Sequence, residues 1–432
     1  MSDTHAQTVP YVRDTMLSPQ DPPSSQVGVT KWMRENLFDG WVSAVLTVLA
    51  VAAIGYAIVH LYPWFANSVW NADSLTQCRE ILDGATGACW AVIRVNWLQL
   101  IFGFYPPDLY WRPVLLFVLL FVAIAPILFP SVPRKVLWFS ALYPFLAVWL
   151  LWGGSLWTIL AVLAGFVIGY LVMVGTHKMG AVVSVGLTIL VPVAYWYFLA
   201  GPLASGINSV VPIEVTPVAS RDFGGFMISV VIGVAGIALS LPLGILLALG
   251  RQSNMLLIKW MSVIFIEFVR GVPLITLLFT ASLLLNYFLP PGTNFDLILR
   301  VIIMVTLFAT AYMAEVIRGG LAALPRGQYE AADALGLDYW KAQRLIIMPQ
   351  ALKISIPGIV NTFIGLFKDT TLVVFIGILD PIGRASAIRA TSDWQGVYWE
   401  LFIFIGAVFW IFCFGMSRYS MHLERRLKTD HR

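Results

Sequence analysis

Charge is scarce along this sequence. Asp, Glu, Lys and Arg make up 12% of its 432 residues, while hydrophobic residues make up 59% and the mean hydropathy is +0.82. A soluble domain carries about a quarter of its residues charged, so a water-exposed globule is excluded and an integral membrane protein is indicated. Ligand and nucleotide chemistry are also missing. Three Cys and five His show no ligand spacing, so no metal site is expected. No G-x-x-x-x-G-K-[ST] occurs, so the chain has no P-loop of its own for ATP. H-E-x-x-H and G-x-S-x-G are absent too, and no carboxylate cluster has metal-ligand spacing, which leaves a membrane enzyme without support. The net charge of +4 is not gathered into one stripe, so no nucleic-acid partner is expected. The first forty residues are polar and Pro/Ser-rich with no apolar core near Met1, so no cleavable signal peptide is expected.

Long apolar runs are what the chain has in abundance. A crossing needs about 20 apolar residues, and ten runs qualify: Trp41–Leu61, Pro113–Phe129, Val136–Trp152, Leu156–Val174, Ala181–Leu199, Gly225–Leu249, Met261–Leu285, Leu297–Ile317, Ile354–Leu379 and Trp399–Met416. Seventeen Trp and fifteen Tyr suit two interfacial belts. With the N-terminus inside, the cytoplasmic segments hold 18 of the 27 Lys and Arg and the outer segments six. The positive-inside bias therefore predicts ten spans with both termini cytoplasmic. The expected fold class is an all-α integral membrane protein.

The organisation falls into parts. A cytoplasmic tail covers 1–40 and a first membrane block 41–221, with an outer loop at about 62–112. A second block covers 222–422 with a polar module at 318–353, and a short cytoplasmic tail covers 423–432. The Gly/Pro/Ser-rich stretch before Gly225 reads as a linker between the blocks. Cys78 and Cys89 lie in the outer loop with ten residues between them. In a non-reducing compartment they are either a disulfide or two free thiols, the disulfide being the preferred reading. Cys413 sits in an apolar span and reads as packing.

The polar module "QYEAADALGLDYWKAQRLIIMP" stands between two apolar segments. Pro325 and Gly327 stop what precedes. Ala331, Ala334 and Leu335 fall at helical spacing on one small apolar face. Gly336 ends that helix. Asp338 caps the next, which runs until Pro349 prevents continuation. Small residues on an exposed face let another surface approach closely, so the module reads as a docking plug; an amphipathic connector lying on the bilayer is the bland alternative.

"EAADALG" followed by "IIMP" resembles the EAA loop of ABC-importer permeases, E-A-A, three residues, G, nine residues, I-x-L-P. Glu330, Ala331, Ala332, Gly336, Ile346 and Pro349 match in residue and spacing, with Met348 in place of the usual Leu. "IEFVRGVPLITLLF", "AYMAEVIRGGLAALPRGQYEAA" and "LFKDTTLVVFIG" resemble segments of the polar amino-acid uptake subfamily. These cover about 200 residues, Asp222 to His422. The block before them resembles the extension on the long permeases of general L-amino-acid systems (the Aap/Bzt type). The resemblance implies a five-helix, type I, MetI-like permease core with an N-terminal multi-span extension in a bacterial inner membrane. It implies coupling to a separate ATPase through the EAA loop, with two ATPase copies binding ATP and Mg and no cofactor on this chain. It further implies a periplasmic amino-acid-binding receptor, a second related permease favoured over a copy of the same chain, and an L-amino acid substrate. The competing class is a gradient-driven secondary amino-acid transporter.

Ionisable residues at membrane depth are costly and draw attention to function. Lys368, Asp369, Thr370 and Thr371 offer an acid, a base and hydroxyls that suit both ends of an α-amino acid; they either line the substrate path or hold neighbouring helices. Glu267 and Arg270 stand at i, i+3 beside Gly271 and Pro273, as a gate or as a structural ion pair. Glu315 and Arg318 at the inner membrane boundary read as interfacial anchors.

Overall fold

The computed structural model of the protein describes residues 28–129, 131–284, 287 and 295–427. The expected tails therefore lie outside the described residues up to 27 and from 428 on, as does Leu285 at the end of the seventh expected span. The chain is helical almost throughout: α1 (Gly28–Leu37), α2 (Trp41–Ala66), α3 (Leu75–Leu82), α4 (Ala91–Phe102), α5 (Trp111–Leu128), α6 (Leu137–Trp152), α7 (Leu156–Thr176), α8 (Ala181–Tyr195) and α9 (Gly201–Val210). Then follow α10 (Gly225–Gln252), α11 (Leu256–Gly271), α12 (Leu274–Phe279), α13 (Leu297–Ala322), α14 (Gly327–Ala334), α15 (Tyr339–Ala342), α16 (Met348–Asp369), α17 (Pro381–Arg389) and α18 (Trp399–Leu427). A two-residue strand pair, β1 (Gly154–Ser155) with β2 (Glu214–Val215), is antiparallel.

Among the described residues two compact units form, one of those up to Val69 with Arg79–Ala88 and the other of Trp70–Cys78 with those from Cys89 on. In the first, α1 carries Val29, Trp32 and Met33 at i, i+3, i+4, all exposed, the pattern of an interfacial helix. The Thr47 hydroxyl donates to the Leu37 carbonyl at 2.7 Å, fastening α1 to the first span. No residue of α2 is buried; its apolar surface suits lipid on all sides.

In the second unit, α10, α13 and α16 pack through small residues. A Cβ on Gly244 would lie 2.7 Å from Met313, one on Gly236 3.2 Å from Val305, and one on Gly358 2.7 Å from Val316. Such approaches let helices without a hydrophobic driving force gain dispersion contact instead. The register makes α10 and α13 parallel, because Gly236 and Gly244 meet Val305 and Met313 in the same order. Arg251 at the end of α10 likewise reaches Glu315 near the end of α13, at 2.7 Å. The chain must therefore return to the opposite end of the bundle between Gln252 and Leu297. The pair α11 and α12 makes that return, bent by 102° where Pro273 interrupts the ladder.

Nine helices among the described residues are long and apolar enough to cross alone, and the bent pair, counted as one span, brings the number to ten. The seventh expected span is thus a broken one. A second correction concerns the stretch read as a linker: its first ten residues are α9, continuous with α8 through a wide turn at Trp196–Ala200. Pro202 sits in the first turn of α9, where no backbone N–H is needed.

Two hydrophobic clusters hold this unit. One, near the Arg251 end, joins Leu249, Ile266, Met313, Ile317, Ile347 and Ala351. The other, toward the opposite end, joins Phe102, Tyr105, Leu116 and Leu151 of the first block to Ile228, Ile232, Leu278, Ile298 and Val301 of the second.

Gly319 and Gly320 make a matched test of the packing. A Cβ on Gly320 would sit 2.1 Å from the Ser355 hydroxyl and 2.5 Å from the Ala351 carbonyl, whereas one on Gly319 meets nothing within 4 Å. Thermal unfolding in detergent should show Gly320→Ala destabilised by about 1–3 kcal/mol and Gly319→Ala unchanged or up to about 1 kcal/mol more stable.

A pH test comes from Asp380. It caps α17 by accepting from the Gly383 N–H at 2.8 Å, and its other oxygen has no partner. Burial lifts its carboxyl from 3.8 to about 6, against the downward pull of the Gly383 and Ile382 N–H groups. A raised acid pKa gives stability that is present below the ordinary value and lost as pH rises through 6. The melting temperature of Asp380→Asn should therefore gain on the wild type as pH is raised from 4 to 7; a constant difference would refute the assignment.

Candidate functional site

The polar module is built locally as its sequence dictates. Helix α14 buries Ala332 and leaves Glu330, Ala331, Ala334 and Leu335 exposed, the last at 72%. Gly336 takes φ +65°, a conformation that costs glycine least. Its N–H donates to the Asp333 carbonyl at 2.9 Å and the Leu337 N–H to the Ala332 carbonyl at 3.2 Å, which satisfies the helix end as a Schellman turn does. Asp338 accepts from the Lys341 N–H at 3.0 Å and pairs with its ammonium at 2.9 Å; that N–H is the main cause holding the carboxyl below its usual value.

Pro349 does not end the second helix, contrary to expectation. Residues Tyr339 to Asp369 run on as α15, a π turn at Gln343–Ile347, and α16, with Pro349 in the first turn of α16. The wide turn resets the hydrogen-bond register, so the ring and missing N–H of Pro349 fall where a helix start tolerates them. Gln350 donates to the Gln328 side chain at 3.0 Å and to the Ile346 carbonyl at 2.9 Å, sewing α14 onto the start of α16. Ile346 is half-buried and Pro349 exposed. Trp340 and Leu345 are 65% and 62% exposed, so the module presents an apolar surface with Glu330 beside it.

Glu267 and Arg270 are not an isolated pair. Arg251 donates to Glu267 at 2.9 Å and to Glu315 at 2.7 Å, and Arg318 donates to Glu315 at 3.0 Å. Arg270 stands 3.8 Å from Glu315 and 4.0 Å from Glu267. Glu315 thus gathers three guanidiniums at 16% side-chain exposure. It belongs with Glu267 rather than acting as a separate interfacial anchor, because the parallel packing of α10 and α13 brings the ends of both helices to α11. Arg251 was counted only as a loop charge in the sequence; nothing local marks it as the bridge.

Above this network lies a cavity of about 250 Å³ between α13 and α16, lined by Phe308, Ala309, Tyr312, Thr362, Gly365, Leu366 and Asp369. Tyr312 joins the two features, since its ring also carries the Arg270 guanidinium at 5.7 Å. Lys368 is exposed, whereas its neighbour Asp369 is half-buried. Thr370 is buried against Gly233 of α10, and its hydroxyl donates to the Phe367 carbonyl at 2.7 Å. The Thr371 hydroxyl donates to the Lys368 carbonyl at 2.9 Å. Both hydroxyls serve carbonyls released where α16 tightens into a 3₁₀ turn at Thr370–Ile376. Of the four candidates in that segment, Asp369 alone lines the cavity. Cys78 and Cys89 are joined, with Cα atoms 6.0 Å apart.

Neutralising the shared carboxylate should cost more than neutralising its neighbour. Glu315→Gln leaves three partly buried cations around one weak acceptor and should lose about 2 kcal/mol, whereas Glu267→Gln, half exposed, should lose less than about 1 kcal/mol. Unfolding of the purified variants decides; equal losses would contradict the shared-carboxylate geometry.

Comparison with known proteins fits this architecture. The family described as "Binding-protein-dependent transport system inner membrane component" matches residues 240–429. The "Glutamate/glutamine/aspartate/asparagine transport system permease protein BztC" of Rhodobacter capsulatus is 60% identical over all of both chains. The "Inner membrane amino-acid ABC transporter permease protein YhdY" of Escherichia coli is 38% identical over 92% of this chain and 93% of its own. The "Glutamate/aspartate import permease protein GltK" of Escherichia coli is 30% identical over 47% of this chain and 91% of its own, so half of this chain accounts for nearly all of that one. The multi-span architecture and the full-length identity agree, and the chain belongs to the binding-protein-dependent inner membrane components, as a permease subunit of an ABC importer with an N-terminal extension.

Proposed function

We propose that this permease moves L-amino acids, with acidic amino acids and their amides as the substrate class, and that Glu330, Ala331, Ala332, Gly336, Ile346 and Pro349 form the surface on which a separate ATPase acts. One observation carries the reading: the helix that reaches the Asp369 cavity begins inside the docking module and carries Ile346 and Pro349 of its surface. From Tyr339 to Asp369 the chain stays helical, about 45 Å at 1.5 Å per residue, and α14 is fastened to this rod across the Gly336 turn by the Gln350–Gln328 hydrogen bond. The substrate class is supported by the printed name of the relative that is 60% identical over the full chain. In the cavity, Asp369 would take the ammonium, while Arg270 beyond Tyr312 supplies positive charge toward the carboxylate.

The expected assembly has two ATPase copies carrying ATP and Mg, a second, related permease and a periplasmic amino-acid-binding receptor. With both termini in the cytoplasm, α14 lies on the side where ATP is available. The ABC reading is favoured over a gradient-driven carrier, because the relatives carry that assignment and because Glu330 and Leu335 stand exposed on the module. The Cys78–Cys89 bond then faces the oxidising side, where such bonds persist.

Glu330→Lys should insert normally and keep the transporter assembled, yet lower ATP-driven uptake at least about tenfold, since a reversed charge opposes docking. Uptake in inverted-charge and wild-type proteoliposomes measures this, and unchanged transport would remove Glu330 from the coupling surface.

A further inference from the structure

The outer loop of the N-terminal extension meets the permease core at the end away from the coupling module, and the joint is made largely of backbone. Gly103, at φ +68°, lies against Gly224, where a Cβ would come within 2.5 Å of the Gly224 Cα. A Cβ on Gly225 would come 2.3 Å from the Leu100 carbonyl. The Gly225 N–H donates to the Leu379 carbonyl at 2.8 Å. The end of α4, the start of α10 and the approach to α17 thus converge with no side chain between them.

Side chains lock the same joint. Arg384 of α17 is 3% exposed. It donates through Nη2 to Gln99 and stacks over the Phe104 ring at 4.0 Å, while Nε and Nη1 have no partner. Among the described residues, both of these side-chain partners of the buried cation come from the extension. Glu400, buried in the first turn of α18, accepts from the Cys89 N–H at 2.8 Å, and the Leu75 N–H donates to the Asp393 carbonyl at 2.7 Å. The Cys78–Cys89 bond ties the chain between those two contacts.

Opening this joint would leave a buried guanidinium, a buried carboxylate and the backbone N–H groups of Leu75 and Cys89 without their partners, which is unfavourable away from water. A lid that opened in every cycle would meet that cost repeatedly. We propose that the part of the outer loop at 70–78 and 89–104 is a permanent brace: it fixes α17 and the starts of α10 and α18 to one another through the whole transport cycle, so this segment and the core move as one body. This rests on the ATP-driven import reading above.

The test is a covalent link across the joint. In the intact transporter, purified with its motor subunits and reconstituted, Leu75→Cys with Asp393→Cys would be bridged by a short bis-maleimide, which leaves the native disulfide untouched. ATP-driven uptake by the same preparation should stay within twofold after bridging. A tenfold loss that appears only on bridging would overturn the brace, whereas absence of ATP-driven uptake in the wild type would instead overturn the import reading. A second measurement needs no variant: amide exchange in peptides covering Cys89 and Gly225 should be the same in nucleotide-free and ATP-bound wild-type transporter. A tenfold fall in protection in either state would show that the joint opens.

Discussion

The Arg251 end of the permease core depends on Glu315. At low exposure it holds Arg251, Arg318 and, more loosely, Arg270, and so joins the ends of α10 and α13 to α11. Charge at a membrane boundary is tolerated when partners are supplied, and here one carboxylate is shared among guanidiniums from three helices. That contact closes the end of the parallel run of α10 and α13, whose register the close approaches at Gly236 and Gly244 show. The parallel run in turn forces the chain to cross back through the bent pair. The same arrangement places Arg270 beneath Tyr312, and therefore beneath the Asp369 cavity.

From this end the structure works as a rod with two fittings. Gln350, Ile347 and Ala351 seat the start of α16 beside α14, and Gly320 and Gly358 let the rod lie tightly on α13. At its far end Asp369 faces the cavity while Thr370 and Thr371 close the helix with their hydroxyls. Packing this close has two discrete arrangements more readily than a continuum. The proposed coupling requires that displacement at the exposed module be transmitted along this packing rather than absorbed.

Much of this was legible in the sequence, for identifiable reasons. Apolar runs are read directly because hydrocarbon requires length, so the spans emerged. Gly336 and Asp338 act within a few residues of themselves, so the ends of α14 and α15 emerged too. What stayed hidden depends on three-dimensional register. Pro349 is read as a stop, yet a π turn moved it into a helix start. The Gly/Pro/Ser-rich run at 201–210 is read as a linker, yet its proline falls in a first turn. Arg251 and Tyr312 had no local mark, because their importance comes from α10, α11 and α13 meeting. Thr370 and Thr371 share the polarity of Asp369 but spend their hydroxyls on the backbone. A sequence shows which groups are polar, and only packing shows which remain free.

The central claim is that a motor acts on the exposed module to drive transport. The most direct measurement is amino-acid uptake into proteoliposomes holding the transporter purified from its native membrane by a tag on this chain. ATP and Mg are supplied on the side of the module and the proton gradient is collapsed. The account predicts uptake that requires ATP and a co-purified polypeptide with a P-loop, and that survives loss of the gradient. Uptake by this chain alone, without ATP and abolished with the gradient, would contradict it.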